Sequence, residues 1–134
     1  MIAPATIEEM RRAAEAAALR AYSPYSKFPV GAAVLSASGK IFSGCNIENA
    51  SYGLTNCAER TAVFAAVHAG ERAISAVAIY TPTPSSTAPC GACRQVLNEF
   101  GPEAVVYCFS KAAEPLVARL ADLLPLSFGP RNLG

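Results

Sequence analysis

Charge of either sign is scarce in this sequence, at 16% of 134 residues. Lys and Arg number 11 against 10 Asp and Glu, a net charge of +1, and no basic run stands out. The electrostatic footprint that nucleic acid demands is missing. No window approaches an uncharged membrane span, and the N-terminus has no apolar stretch of the signal-peptide kind, so a cytoplasmic protein is expected. Repeats, low-complexity segments and linkers are lacking too. A single domain over residues 1–134 is expected, able to close one core without staples. Histidine occurs once, at His68. Cysteine occurs five times, an odd number with one Cys-x-x-Cys, which favours metal or redox use over a disulfide framework.

The periodicity predicts alternating elements. Thr6-Ile7-Glu8-Glu9 reads as a capping box that opens a helix running to about Ala21. Pro24 and Pro29 then break the helical pattern. Val30 to Leu35 and Ile41 to Asn46 read as the arms of a hairpin around Ser38-Gly39. A helix is expected from Asn56, with Gly70 as its stop. Ile74 to Thr81 is a nearly continuous apolar strand of the kind covered on both faces. A short helix from about Gly91 to Phe100 and a strand from Val105 to Phe109 follow. For Pro115 to Leu126, helix and strand fit equally well. The fold class expected is α/β, a three-layer αβα sandwich with a mixed β-sheet.

Two stretches carry the chemistry. Gly44 to Arg60 places Cys57 two residues before Glu59, and Pro89 to Gln95 holds Cys90 and Cys93. Three thiols that can bind zinc, beside one carboxylate that can move protons, describe an open metal site for hydrolysis. Residues i and i+2 lie roughly 200° apart on a helix. If Cys57 and Glu59 serve one centre, it therefore lies off the helix tip. Both cysteine groups open expected helices, where free N–H groups and the dipole favour thiolates. Three thiolates leave zinc at −1 and a bound hydroxide makes −2, so nearby positive charge is needed; Arg60 is one candidate and Arg94 another. His68 lies about 16 Å along the helix from Cys57 and cannot close the site. Cys45 and Cys108 read as small hydrophobes, although spacing alone does not exclude Cys45 as a ligand.

Four motifs, Tyr22–Ala32, Gly44–Arg60, Pro89–Val96 and Leu123–Pro130, resemble the small zinc-dependent cytidine deaminases in order and spacing. The resemblance implies hydrolytic deamination of cytidine and 2′-deoxycytidine to uridine and 2′-deoxyuridine plus ammonia, in pyrimidine salvage. One zinc per chain would be held by Cys57, Cys90 and Cys93. Hydroxide on that zinc would attack C4 of the base, with Glu59 as the proton shuttle. Phe28, Asn46, Glu48 and Ala58 would bind substrate, and Arg60 would give electrostatic support. An amide and a carboxylate at Asn46 and Glu48, on one face of a strand end, suit the sugar hydroxyls, and Glu48 argues against a 5′-phosphate.

The family likeness also implies a homotetramer with shared sites, Phe128 closing a neighbour's pocket and Tyr52 lying near an adjoining subunit. Low charge agrees, since about 25% charged residues is usual and interfaces hide apolar excess. Three alternatives stand beside this reading. One is a thiol redox protein using Cys90-Gly91-Ala92-Cys93 and another is a closed structural zinc module. The third is a blasticidin-S-type or other aminopyrimidine deaminase. No nucleic-acid or membrane partner is expected.

Overall fold

The computed structural model describes residues 2–134. A five-stranded sheet runs through its middle, with β1 (Gly31–Ser36), β2 (Ile41–Cys45), β3 (Ile74–Tyr80), β4 (Val105–Phe109) and β5 (Leu116–Arg119) in the order β2-β1-β3-β4-β5. Strand β1 is antiparallel to both β2 and β3, β3 is parallel to β4, and β4 is antiparallel to β5. The mixed sheet follows from connection length. A tight turn through Gly39 (φ +91°) joins β1 to β2, whereas the parallel pair needs the crossover helix α3 (Gly91–Phe100).

Side chains alternate along the central strands, and each face receives its own helices. Ala33 and Leu35 of β1 and Ala76 and Ala78 of β3 pack with Met10 and Ala14 of α1 (Pro4–Ala18). On the opposite face Ala32, Val34, Val77, Ile79 and Val106 pack with Ala62, Val63 and Ala66 of α2 (Ala58–His68) and Leu97 of α3. Each fully buried Val or Ile in these layers contributes about 1.5–3 kcal/mol. Two glycines let helix backbones lie directly on the sheet. A Cβ at Gly31 would fall 1.9 Å from Ala14 O, and one at Gly44 would fall 2.6 Å from Ala62 N.

Three sequence expectations need correction. Helix α1 starts at Pro4, not at a Thr6 cap; Ala3 is its N-cap and makes no side-chain cap hydrogen bond. Proline at a first-turn position supplies a helical φ and lacks an N–H that would have had no partner, which overrides the Thr6–Glu9 pattern. The same helix ends at Ala18, three residues short of Ala21. The segment Pro115 to Leu126 is neither helix nor strand throughout. Its first part pairs with β4 as β5, and a single turn, α4 (Leu120–Leu123), follows. Among the described residues no helix is long and apolar enough to cross a membrane.

Candidate metal centre

The N-termini of α2 and α3 converge on three thiols. Cys57 is the N-cap of α2 (φ −73°, ψ 156°) and Cys90 the N-cap of α3 (φ −69°, ψ 168°). Extended backbone at each cap swings its side chain off the helix end. Cys57 and Glu59 therefore reach one region although i and i+2 oppose each other within a helix. Cys93 follows one turn into α3 and is buried.

The Sγ atoms of Cys57 and Cys90 lie 3.9 Å apart, and those of Cys90 and Cys93 lie 3.5 Å apart. All three fall within 4.8 Å of one another. Tetrahedral zinc with Zn–S of about 2.3 Å separates its sulfurs by about 3.8 Å, so the donor set fits that ion. The Cys57 thiol is held well below its ordinary value, first by the hydrogen bond from Cys93 and then by Arg60, against the opposing effect of burial. The Cys93 thiol is pushed up, first by that same bond to Cys57, then by burial and by the negative charge of Glu59 and Cys57. A bound dication would favour the thiolate form of its three sulfur ligands.

Arg60 donates from Nη2 to Cys57 Sγ at 3.2 Å, and its Nε is buried without a hydrogen-bond partner among the described residues. Arg94 takes no such part. Its Nε donates to Pro89 O (2.7 Å) and its Nη1 to Leu123 O (2.9 Å), so it ties the C-terminal turn to α3. Cys45 is a donor to Arg20 O, and His68 is exposed at the far end of α2. Neither joins the cluster.

Beside the thiols opens a cavity of about 280 Å³ whose wall includes Phe28, Asn46, Glu48, Ala58 and Glu59. Glu59, only 6% exposed, has its carboxyl raised, first by burial and further by the neighbouring Cys57 thiolate. Asn46 and Glu48 lie just past β2, on either side of Ile47, which bridges to Tyr22 and to Asn56. Asn46 Oδ1 accepts from Val30 N–H (2.9 Å), and Asn46 Nδ2 donates to Phe28 O (2.8 Å). Glu48 accepts the N–H groups of Tyr25 (2.9 Å) and Ser26 (3.1 Å). Both side chains thus hold the Tyr25–Val30 loop as well as facing the cavity.

Tyr52 and Phe128 are not part of this cavity wall. Tyr52, 75% exposed, borders an adjoining hollow with Tyr25 at a ring separation of 5.8 Å. Phe128 is 59% exposed, and its carbonyl accepts hydrogen bonds from Gln95 (2.8 Å) and Asn98 (3.3 Å). Sequence reasoning did not single out Ser26, Thr55 or Thr87, all on the cavity wall. Ser26 sits inside a motif that was recognised. Thr87 belongs to the loop between β3 and α3, where residues 82–89 are mostly Pro, Ser and Thr and carry no periodicity to read.

The family model for the cytidine and deoxycytidylate deaminase zinc-binding region matches residues 4–109. The chain is 47% identical over 128 residues to a cytidine deaminase of Sporosarcina psychrophila, covering 95% of this chain and 91% of that one. It is 45% identical over 124 residues to a cytidine deaminase of Mycobacterium tuberculosis, covering 92% and 90%. Among solved structures, the cytidine deaminase of Burkholderia pseudomallei superposes with a TM-score of 0.86 at 49% identity, covering 90% of this chain and 98% of the other.

Proposed function

This chain belongs to the cytidine and deoxycytidylate deaminase zinc-binding family, and from that premise we propose that it hydrolyses cytidine and 2′-deoxycytidine. The products are uridine or 2′-deoxyuridine and ammonia. The observation that carries this reading is a buried carboxylate, Glu59, set on the cavity wall beside three convergent thiols. A redox reading based on Cys90 and Cys93 leaves the third thiol and the carboxylate without a role.

Cys57, Cys90 and Cys93 would hold zinc, which when bound would supply Lewis acidity that makes water a nucleophile near neutral pH. Glu59 takes the proton from the water that adds to C4 and carries it to N3 of the base. The carboxylate then takes the proton of the new C4 hydroxyl and hands it to the amine, so that C4=O forms as the C4–N bond breaks and ammonia leaves; one carboxylate acts as base and as acid. Burial raises its proton affinity above that of a free carboxylate, which suits both tasks. Arg60 offsets the negative charge collected on the thiol cluster. Phe28 and Ala58 give the base an apolar wall.

Glu48 and Asn46 take the sugar. The amide keeps one N–H and one lone pair beyond its bonds to the loop, and the carboxylate keeps acceptor capacity for a hydroxyl. A 5′-phosphate would bring negative charge towards Glu48, which favours nucleosides over nucleotides.

Residues 1–134 form one domain in this reading, and four copies form a cytoplasmic homotetramer in pyrimidine salvage. Large apolar side chains left at the surface, Tyr52, Phe64, Leu126 and Phe128, support burial between subunits. Phe128 then closes a neighbour's pocket and Tyr52 lies beside an adjoining chain. The decisive assay is ammonia release from cytidine, 2′-deoxycytidine, CMP, cytosine and blasticidin S. Turnover confined to the two nucleosides is expected; preferred turnover of CMP or blasticidin S overturns the assignment.

A further inference from the structure

Three hydrogen bonds already end on the Glu48 carboxylate. Oε1 accepts the N–H groups of Tyr25 and Ser26, and Oε2 accepts the Ser26 hydroxyl. A carboxylate offers about four lone-pair sites, so roughly one remains, on Oε2, for a ligand hydroxyl. That Ser26 hydroxyl has a second task, because its Oγ accepts Phe28 N–H at 3.0 Å. Lys27, between them, has φ +59° and donates its N–H to Ser23 O at 3.0 Å. This left-handed residue turns the chain so that one hydroxyl meets both Glu48 and residue 28. A non-glycine residue adopts it at some cost in strain, a pattern that gathers at functional sites. Ser26, Phe28 and Glu48 all line the catalytic cavity, and Ser26 and Glu48 also border the adjoining hollow.

We propose that Ser26 is a positioning residue for sugar recognition, its hydroxyl turning the Glu48 carboxylate so that the free lone pair meets a nucleoside sugar hydroxyl. The inference rests on Glu48 being the sugar contact. Without the hydroxyl, Oε2 loses the partner that fixes its rotation, and Phe28 N–H loses its acceptor. The carboxylate is also held below the ordinary carboxyl range, with the Ser26 hydrogen bond as the first cause. As a carboxylate it accepts hydrogen bonds and donates none. Alanine can neither donate nor accept here, whereas threonine does both.

The test compares wild type, Ser26→Ala, Ser26→Thr and Glu48→Ala on cytidine and on 2′,3′-dideoxycytidine, which lacks both ring hydroxyls, with zinc content measured for each. Ser26→Ala should raise KM for cytidine about tenfold with kcat within about threefold, and raise KM for the dideoxy analogue less than about threefold. Ser26→Thr should return KM for cytidine to within about threefold of wild type. An equal KM penalty on both substrates, or none, overturns the proposal, because the hydroxyl then serves only the loop. If Glu48→Ala also fails to separate the two substrates, the sugar contact itself is wrong, which is a different failure. Should the alanine variant not fold, Ser26→Cys, similar in size but only a weak donor and acceptor, should raise KM for cytidine more than for the dideoxy analogue by a smaller margin, and an equal effect on both overturns the proposal.

Discussion

At the scale of single residues, two buried groups with displaced proton affinities make opposite kinds of statement. Glu59 is raised by burial in a cavity open to substrate, so its displacement serves chemistry. Glu59→Gln keeps the shape and removes the base; zinc should stay bound while kcat falls about 10²–10⁴-fold. Near-normal uridine formation by that variant would end the proton-shuttle role. Cys108 is raised from 9.0 to about 11, chiefly by burial and further by Glu59. It lies on the sheet face covered by α2 and α3, so its displacement bears on stability. Below about pH 9 its thiol is protonated in folded and unfolded chains alike and gives no pH dependence. Between about 9 and 11 only the unfolded chain gives up the proton, so stability falls as pH rises. From pH 8 to 10.5 wild type should lose about 2 kcal/mol more than Cys108→Ala in urea unfolding. Equal losses would mean the folded state lets this thiol ionise freely.

At the scale of elements, the site depends on how closely helices approach the sheet. Helix α1 lies so near β1 that a Cβ on Gly31 would meet Ala14 O at 1.9 Å and Ala18 N at 2.5 Å, both backbone atoms that no rotamer change can move aside. Gly31→Ala should therefore destabilise the protein by about 3 kcal/mol or more, since overpacking here shifts a whole helix. Gly53→Ala, where nothing lies within 4 Å, is the control and should change stability by less than about 0.5 kcal/mol. Equal midpoints for the two variants in urea would show that α1 can lift off without loss. On the other face Gly44 allows the same approach to α2, whose N-terminus carries Cys57. The close packing that stabilises the sheet also sets the height of the metal centre above it.

For the whole molecule, the exposed aromatics and the cavity lead to one experiment. Phe128 is on the surface, outside its own chain's cavity wall, and its carbonyl is fastened to α3. The proposed homotetramer would give that ring a place in a neighbouring chain's pocket. Glu59→Ala and Phe128→Ala chains should each be poor alone and should regain activity when refolded together, because some mixed sites then contain both native residues. Absence of recovery in mixed oligomers verified by mass would leave Phe128 outside any pocket. A monomer by light scattering would remove the shared site altogether.

The sequence by itself determined the elements and ligand types whose signals are local. Helix α3 runs from Gly91 to Phe100 and β4 from Val105 to Phe109 within the bounds that their periodicity sets. That Cys57, Cys90 and Cys93 come together beside Glu59 was legible because spacing and chemistry coincide in two short motifs. What depended on distant partners was not legible. Residues 116–119 become a strand because β4 offers an edge, and periodicity cannot see that edge. Arg94 looks like a counter-charge beside Cys93, yet carbonyls at Pro89 and Leu123 claim its guanidinium. Glu48 reads as a sugar ligand alone until Tyr25 and Ser26, over twenty residues earlier, are seen bonded to it. Hydrogen bonds and close packing across such separations arise only when the sheet brings the segments together, so these roles belong to the tertiary structure.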